Sequence, residues 1–101
     1  MELNNKENIR TRISGTKFYC FSFPKIGDKV ILIHNPFNRA DKYAIKVINS
    51  QLEQIGHLPT FGGFNKRVGD MLKCQPHTAK VTQVFQEFSE IFIEIDNVRL
   101  S

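Results

Sequence analysis

Residues 41–59 read Asp-Lys-Tyr-Ala-Ile-Lys-Val-Ile-Asn-Ser-Gln-Leu-Glu-Gln-Ile-Gly-His-Leu-Pro. The run at 43–48 is largely apolar and β-branched, which suits a strand. The run at 52–58 follows after Asn49 and Ser50, with little room for more than a two-residue turn. The two runs therefore predict a β-hairpin, which Pro59 ends because proline has no N–H to donate to the ladder.

Outward from this hairpin the chain alternates short strands and turns. On the N-terminal side, Lys29 to His34 (KVILIH) is an apolar run of strand length, bounded by Gly27 and by Asn35-Pro36. Residues 17–23 (KFYCFSF) are aromatic-rich and lie between Gly15 and the turn residues 24–27, so they predict a further strand with Phe21 and Phe23 in the core. Residues 35–42 (NPFNRADK) carry the residue types of an ordered loop. Residues 1–12, with three Asn and no apolar periodicity, read as a flexible leader, which leaves 13–101 as the folded domain.

Beyond Pro59 the period changes. Phe61, Phe64, Val68, Met71 and Leu72 recur at helical offsets, with Lys66, Arg67, Asp70 and Lys73 on the other side. Two last strands are expected at 78–85 and 91–96, the second with Ile91, Ile93 and Ile95 alternating against Phe92, Glu94 and Asp96. About six strands and one helix predict a mostly β fold, a small closed or nearly closed barrel that hides its sheet edges.

The bulk composition fits one domain: 101 residues, 41% hydrophobic and 24% charged. No stretch reaches the roughly 18 apolar residues of a membrane span, and the first residues do not form a signal-peptide core, so a soluble cytoplasmic protein without a membrane partner is expected. Cys20 and Cys74 are too few for a disulfide framework and are expected to be reduced and at least half-buried. A formal charge of +4 favours anionic partners.

Three segments carry residue types suited to a nucleic-acid end. In Lys17-Phe18-Tyr19 an exposed ring can stack a base while the lysine holds a phosphate; whether Phe18 or Tyr19 is exposed or core stays open on composition. In the loop 35–42, Asn38 and Asp41 are short polar side chains three residues apart, a pattern that also serves ordinary Asx turns. In Ile55-Gly56-His57-Leu58-Pro59 a polar imidazole closes an apolar strand, a place where structural histidines also occur.

Taken together, these segments resemble the HIRAN domain. The resemblance rests on Gly15 followed by Lys17-Phe18-Tyr19, on Gly27-Asp28-Lys29-Val30-Ile31-Leu32 leading to Asn35-Pro36-Phe37-Asn38, on Asp41 followed by Ala44-Ile45-Lys46-Val47, and on Ile55-Gly56-His57-Leu58-Pro59. It implies a six-stranded barrel related to the OB-fold, flanked by one or two helices. In that family the domain accompanies fork-remodelling helicases and nuclease-like enzymes, and it also stands alone in bacteria and phages. The implied ligand is single-stranded DNA gripped at its 3′ end, in DNA repair or fork processing, with a helicase or nuclease as the implied partner protein.

Position by position, the resemblance makes Lys17 and His57 phosphate contacts, Phe18 the base-stacking ring, and Asn38 and Asp41 the holders of the terminal nucleotide and its hydroxyl. Two departures weaken that site. Ala40 stands where DNA-binding relatives have a second stacking aromatic, and Thr60 where they often have Lys or Arg. Tyr43, Phe61 or Arg39 is placed to supply a ring or charge instead, and Lys66 with Arg67 the cation.

Asp41 has a physical logic independent of the family. A carboxylate near phosphates is repelled by them, whereas a free 3′-hydroxyl can donate a charge-assisted hydrogen bond to it. Competing chemistries are weakly supported. Cys74-Gln75-Pro76-His77 is one ligand pair, and structural zinc wants four ligands. Asp28, Asp41, Asp70 and Asp96 are scattered rather than clustered for catalysis. The expectation is a binding module that is not an enzyme and takes no cofactor or metal. Its alternative is a protein-interaction scaffold with the same fold and a degenerate DNA site.

Overall fold

The computed structural model describes residues 6–34, 43–60, 64–72 and 77–99. Within them the chain forms strand β1 (Lys6–Arg12), a helical turn α1 (Thr16–Tyr19), strands β2 (Lys29–His34), β3 (Ile45–Ile48) and β4 (Gln54–His57), helix α2 (Phe64–Leu72), and strands β5 (His77–Phe85) and β6 (Glu90–Arg99). The six strands form one antiparallel sheet in the order β1-β6-β5-β2-β3-β4, curled into a half-barrel.

The two edge strands meet at one point. Just past β1, the Ser14 N–H donates to His57 O at 2.8 Å and the His57 N–H donates to Ser14 O at 2.9 Å. One residue earlier, the Ile13 N–H donates to Ile91 O of β6 at 2.8 Å. The chain thus crosses from β6 to the end of β4 within two residues, and this crossing joins the sheet's edges.

Alternation supplies the core. Val30 and Leu32 of β2, Ile45 and Val47 of β3, Val81 of β5 and Ile91, Ile93 and Ile95 of β6 are buried, together with Ile13, Ile55, Leu58 and Val68. Each such side chain contributes about 1.5–3 kcal/mol of burial free energy. The expected alternation of 91–96 holds, with Phe92 and Glu94 half-buried and Asp96 exposed on the other face.

Several sequence expectations need correction. The leader expected over 1–12 is a strand from Lys6, whose partner is β6 through pairs such as Ile9↔Ile95 and Thr11↔Ile93. Tertiary pairing outweighs its polar composition, because an edge strand needs only one apolar face. The strand expected over 17–23 does not form. Gly15 adopts φ 77°, which turns the backbone out of the extended path, and the Phe18, Tyr19 and Cys20 N–H groups close a helical turn on Gly15 O and Thr16 O. Phe21, expected in the core, is 94% exposed, whereas Phe23 packs against the core cluster.

The hairpin also differs in its turn. Its loop runs from Asn49 to Glu53, because the Asn49 Oδ1 accepts hydrogen bonds from the N–H groups of Gln51 (3.0 Å) and Glu53 (2.9 Å). Leu52 takes the left-handed conformation at φ 66° to complete it. Helix α2 and strands β5 and β6 lie where the periodicity puts them, and a 3-10 turn at Gln86–Phe88 joins the last two strands.

Candidate functional site

One end of the sheet collects most of the predicted residues that fall among those described. Across β2, β3 and β4 the register aligns Ile33, Lys46 and His57, and Ser14 bridges to His57 beyond them. Cross-strand partners share a face, so Lys46 and His57 stand side by side. Lys46 is exposed between the buried Ile45 and Val47, and His57 is half-buried.

Turn α1 sits directly over His57. Its Tyr19 ring meets the imidazole edge to face, with centroids 6.3 Å apart and planes at 86°. Gly15 lies flush against the same imidazole: a Cβ there would stand 2.8 Å from Cε1. Two anchors fix the turn. The Thr16 Oγ1 donates to Ser89 O at 2.7 Å, and Cys20 is a buried free thiol whose Sγ donates to Ser22 O at 3.4 Å. Burial pushes the Cys20 pKa up, the Ser22 hydrogen bond opposes this, and Glu53 adds to it.

With Thr16 and Cys20 facing inward and Tyr19 held on His57, Lys17 and Phe18 point to solvent, and Phe18 is 76% exposed. Sequence reasoning left Phe18 and Tyr19 undecided between site and core. The helical turn puts both outside, the first open and the second as support for the imidazole.

Helix α2 holds the chain where it re-enters this end of the sheet. The Asn65 Nδ2 donates to Tyr43 O at 3.3 Å, and the Lys66 Nζ stands 5.6 Å from the Tyr43 ring centroid. At the other side of the gap, a Cβ on Gly69 would be in ordinary contact with His34 at 3.8 Å. His34 and Tyr43 thus both stand beside α2, and His34 pairs with Ile45 next to the Lys46–His57 row. Asn38, Arg39, Asp41 and Phe61 lie outside the described residues, as does the Arg67 side chain.

Lys46 is the cation that sequence reasoning did not single out. Among the described residues the ion pairs are Arg10–Glu94 at 2.9 Å and Arg12–Glu90 at 3.4 Å, both between β1 and β6. Lys17 and Lys46 enter neither, so the end of the sheet around His57 carries unpaired positive charge. A groove lined by Arg10, Ile26, Lys80 and Phe92 belongs to the β5–β6–β1 side and contains none of the predicted residues. Among the described residues no three His, Cys, Asp or Glu side chains group to hold a metal ion, and no helix is long and apolar enough to cross a membrane.

Comparison with known proteins places this geometry. The chain is 39% identical over 59 residues to a Fanconi-associated nuclease 1 homolog of Arabidopsis thaliana, a match covering 58% of this chain and 7% of that protein. The chain therefore corresponds to a small part of that relative. Its fold is shared with a crystal structure of a Lactobacillus plantarum protein (TM-score 0.76, 14% identity, 94% of this chain and 99% of that one). It is also shared with the HIRAN domain of human HLTF (TM-score 0.66, 22% identity, 90% of this chain and 74% of that one). The HIRAN domain family profile matches residues 6–87, which takes in β1, the crossing at Ser14 and His57, and turn α1, so the chain belongs to the HIRAN domain family.

Proposed function

We propose that this chain is a binding module, not an enzyme, that captures single-stranded DNA at a free 3′-hydroxyl end, in DNA repair or fork processing. One observation carries the reading: α1, which bears an exposed ring and lysine, packs against β4, where His57 is buttressed by Tyr19 and flanked by Lys46. The ring offers a stacking face. Lys17, Lys46 and the imidazole offer donors to phosphate. Family membership, and a relative named as a nuclease, support nucleic acid as the ligand class.

End selectivity is assigned to the segment 35–42. Its Asp41 accepts a hydrogen bond from a 3′-hydroxyl and repels a 3′-phosphate. The observation that favours the rival reading, a protein-interaction scaffold, is an uncharged, exposed Thr60 just past His57.

Fluorescence anisotropy with a short labelled strand separates the two. A 3′-hydroxyl strand is expected to bind more tightly than the same strand with a 3′-phosphate, a duplex, or a strand accessible only at its 5′ end, and Asp41→Ala to erase the difference between the two 3′ ends. With two to four phosphates neutralised, the log–log salt slope is expected at about −1.5 to −3. Equal affinity for both 3′ ends removes the end-capture reading, and no binding to any strand leaves the scaffold.

A further inference from the structure

We infer that Phe21 is a second base-stacking platform, so that the site holds two to four nucleotides of a single strand rather than the terminal one alone. This rests on the function proposed above and extends it along the strand.

The starting observation is an anomaly of burial. Phe21 is 94% exposed, more than any other large hydrophobic residue among those described. The local backbone keeps it there. Cys20 on one side is buried, and its N–H donates to Thr16 O at 2.9 Å. Phe23 on the other side packs against the core cluster. Between these two fixed points Phe21 is directed outward. An exposed phenyl ring forgoes burial free energy that its neighbour Phe23 collects, so its position is unfavourable for folding alone.

The second observation is continuity. Phe18, 76% exposed, precedes Phe21 by three residues, so the two Cα atoms are at most about 10–11 Å apart. Stacked nucleotides advance about 3.4 Å per strand residue. A strand whose terminal base lies at Phe18 therefore reaches Phe21 within its next three bases. Lys17 is exposed beside Phe18 on the same turn, and it enters no ion pair among the described residues. Exposed rings next to a free cation match a single strand, whose bases stack while its phosphates seek positive charge. An apolar protein surface would leave that lysine without a partner.

The ligand class is thus single-stranded nucleic acid of any sequence, because every base offers a flat face to a phenyl ring and the ring reads no base edge. Phe21 contributes affinity that depends on strand length. The 3′-end discrimination belongs to the first nucleotide and does not involve it.

The test uses thymidylates of one, two, three, four and six residues with free 3′-hydroxyls, measured by anisotropy on the whole chain. In the native protein, affinity is expected to rise about 5- to 30-fold between the shortest and longest strands. Phe21→Ala should flatten that rise while keeping native affinity for the mononucleotide. Phe21→Leu, which keeps the apolar bulk but not the flat ring, should behave like Phe21→Ala, and Phe21→Trp should restore the rise. One abasic residue, scanned along the strand, should cost the native protein affinity at one position between the second and the fourth from the 3′ end and cost Phe21→Ala nothing there.

Native length dependence in Phe21→Ala overturns the inference and leaves the end-binding reading intact. So does an equal loss at every length, or full rescue by leucine. A native protein that binds none of the strands overturns both.

Discussion

The backbone of Gly15 lies flush against the His57 imidazole, so that a Cβ added to Gly15 would stand 2.8 Å from Cε1 and 3.0 Å from Nδ1. The same glycine has φ 77°, a conformation that costs an L-residue about 1–2 kcal/mol. Gly15→Ala therefore strains the backbone and displaces the imidazole from its place beside Gly15. The expected outcome is a loss of about 1–3 kcal/mol in urea unfolding, with a drop in affinity for a 3′-hydroxyl strand measured well below the new unfolding transition. Native stability together with native affinity would show that the contact between Gly15 and His57 is immaterial.

Gly56 marks a tighter approach. A Cβ there would lie 2.3 Å from Ile13 Cγ2 and 2.6 Å from Ser14 O. Side chains can shift, but the Ser14 carbonyl is fixed by its hydrogen bond from the His57 N–H. Gly56→Ala must therefore open the Ser14–His57 bridge that joins the sheet edges, and it is expected to cost more than the roughly 1–3 kcal/mol of ordinary overpacking. The check is the denaturant midpoint, which should fall further than for Gly15→Ala.

Gly69 supplies the opposite case. It lies inside α2, and the nearest atoms to an added Cβ, on His34 and Ile45, are 3.8 Å and 3.9 Å away, an ordinary contact distance. Alanine favours the helix over glycine by about 0.8–1.0 kcal/mol. Gly69→Ala is expected to raise the melting temperature by several degrees, and a fall would mean that the space beside His34 is needed.

What the sequence made legible follows from which interactions are local. The buried alternation of Ile91, Ile93 and Ile95 and the helical spacing of α2 were readable because one period decides each. Turn α1 was not, because aromatic composition favours a strand and only the Ser14–His57 pairing, 43 residues apart in sequence, ends the extended path before Lys17. Lys46 was missed for a related reason. A two-residue turn at Asn49 and Ser50 would set Lys46 opposite Glu53. The longer loop built by the Asn49 side chain, with a register shift between Val47 and Ile48, sets it opposite His57 instead. The types of residue in the site were visible, but their adjacency was set by a register that composition does not encode.

Cys20 gives the fold a pH dependence. Burial, followed by the weaker effect of Glu53, raises its pKa above the ordinary 9.0, against the Ser22 hydrogen bond. The folded state therefore holds the thiol proton more tightly than the unfolded chain does. The stability from the buried neutral thiol is fully present below pH 9 and is lost as pH rises through the folded pKa. In melting curves from pH 7.5 to 10, the advantage of the native protein over Cys20→Ala should narrow above pH 9. A constant gap would mean that Cys20 titrates alike in both states.

Lys46 separates charge from structure within the site. It is exposed on β3 opposite His57 and enters no ion pair among the described residues. Lys46→Ala should therefore leave stability within about 0.5 kcal/mol of native. If its ammonium neutralises one phosphate, the variant should bind single strands more weakly and lose about 0.7 from the magnitude of the log–log salt slope. Lys80 on β5 is the control: it is equally exposed but lies opposite Lys29 and Glu94, away from the His57 row. Lys80→Ala should leave the slope unchanged. Equal slopes for both variants would mean that the strand does not pass beside His57, and the anion-binding face would then have to be sought elsewhere on the sheet.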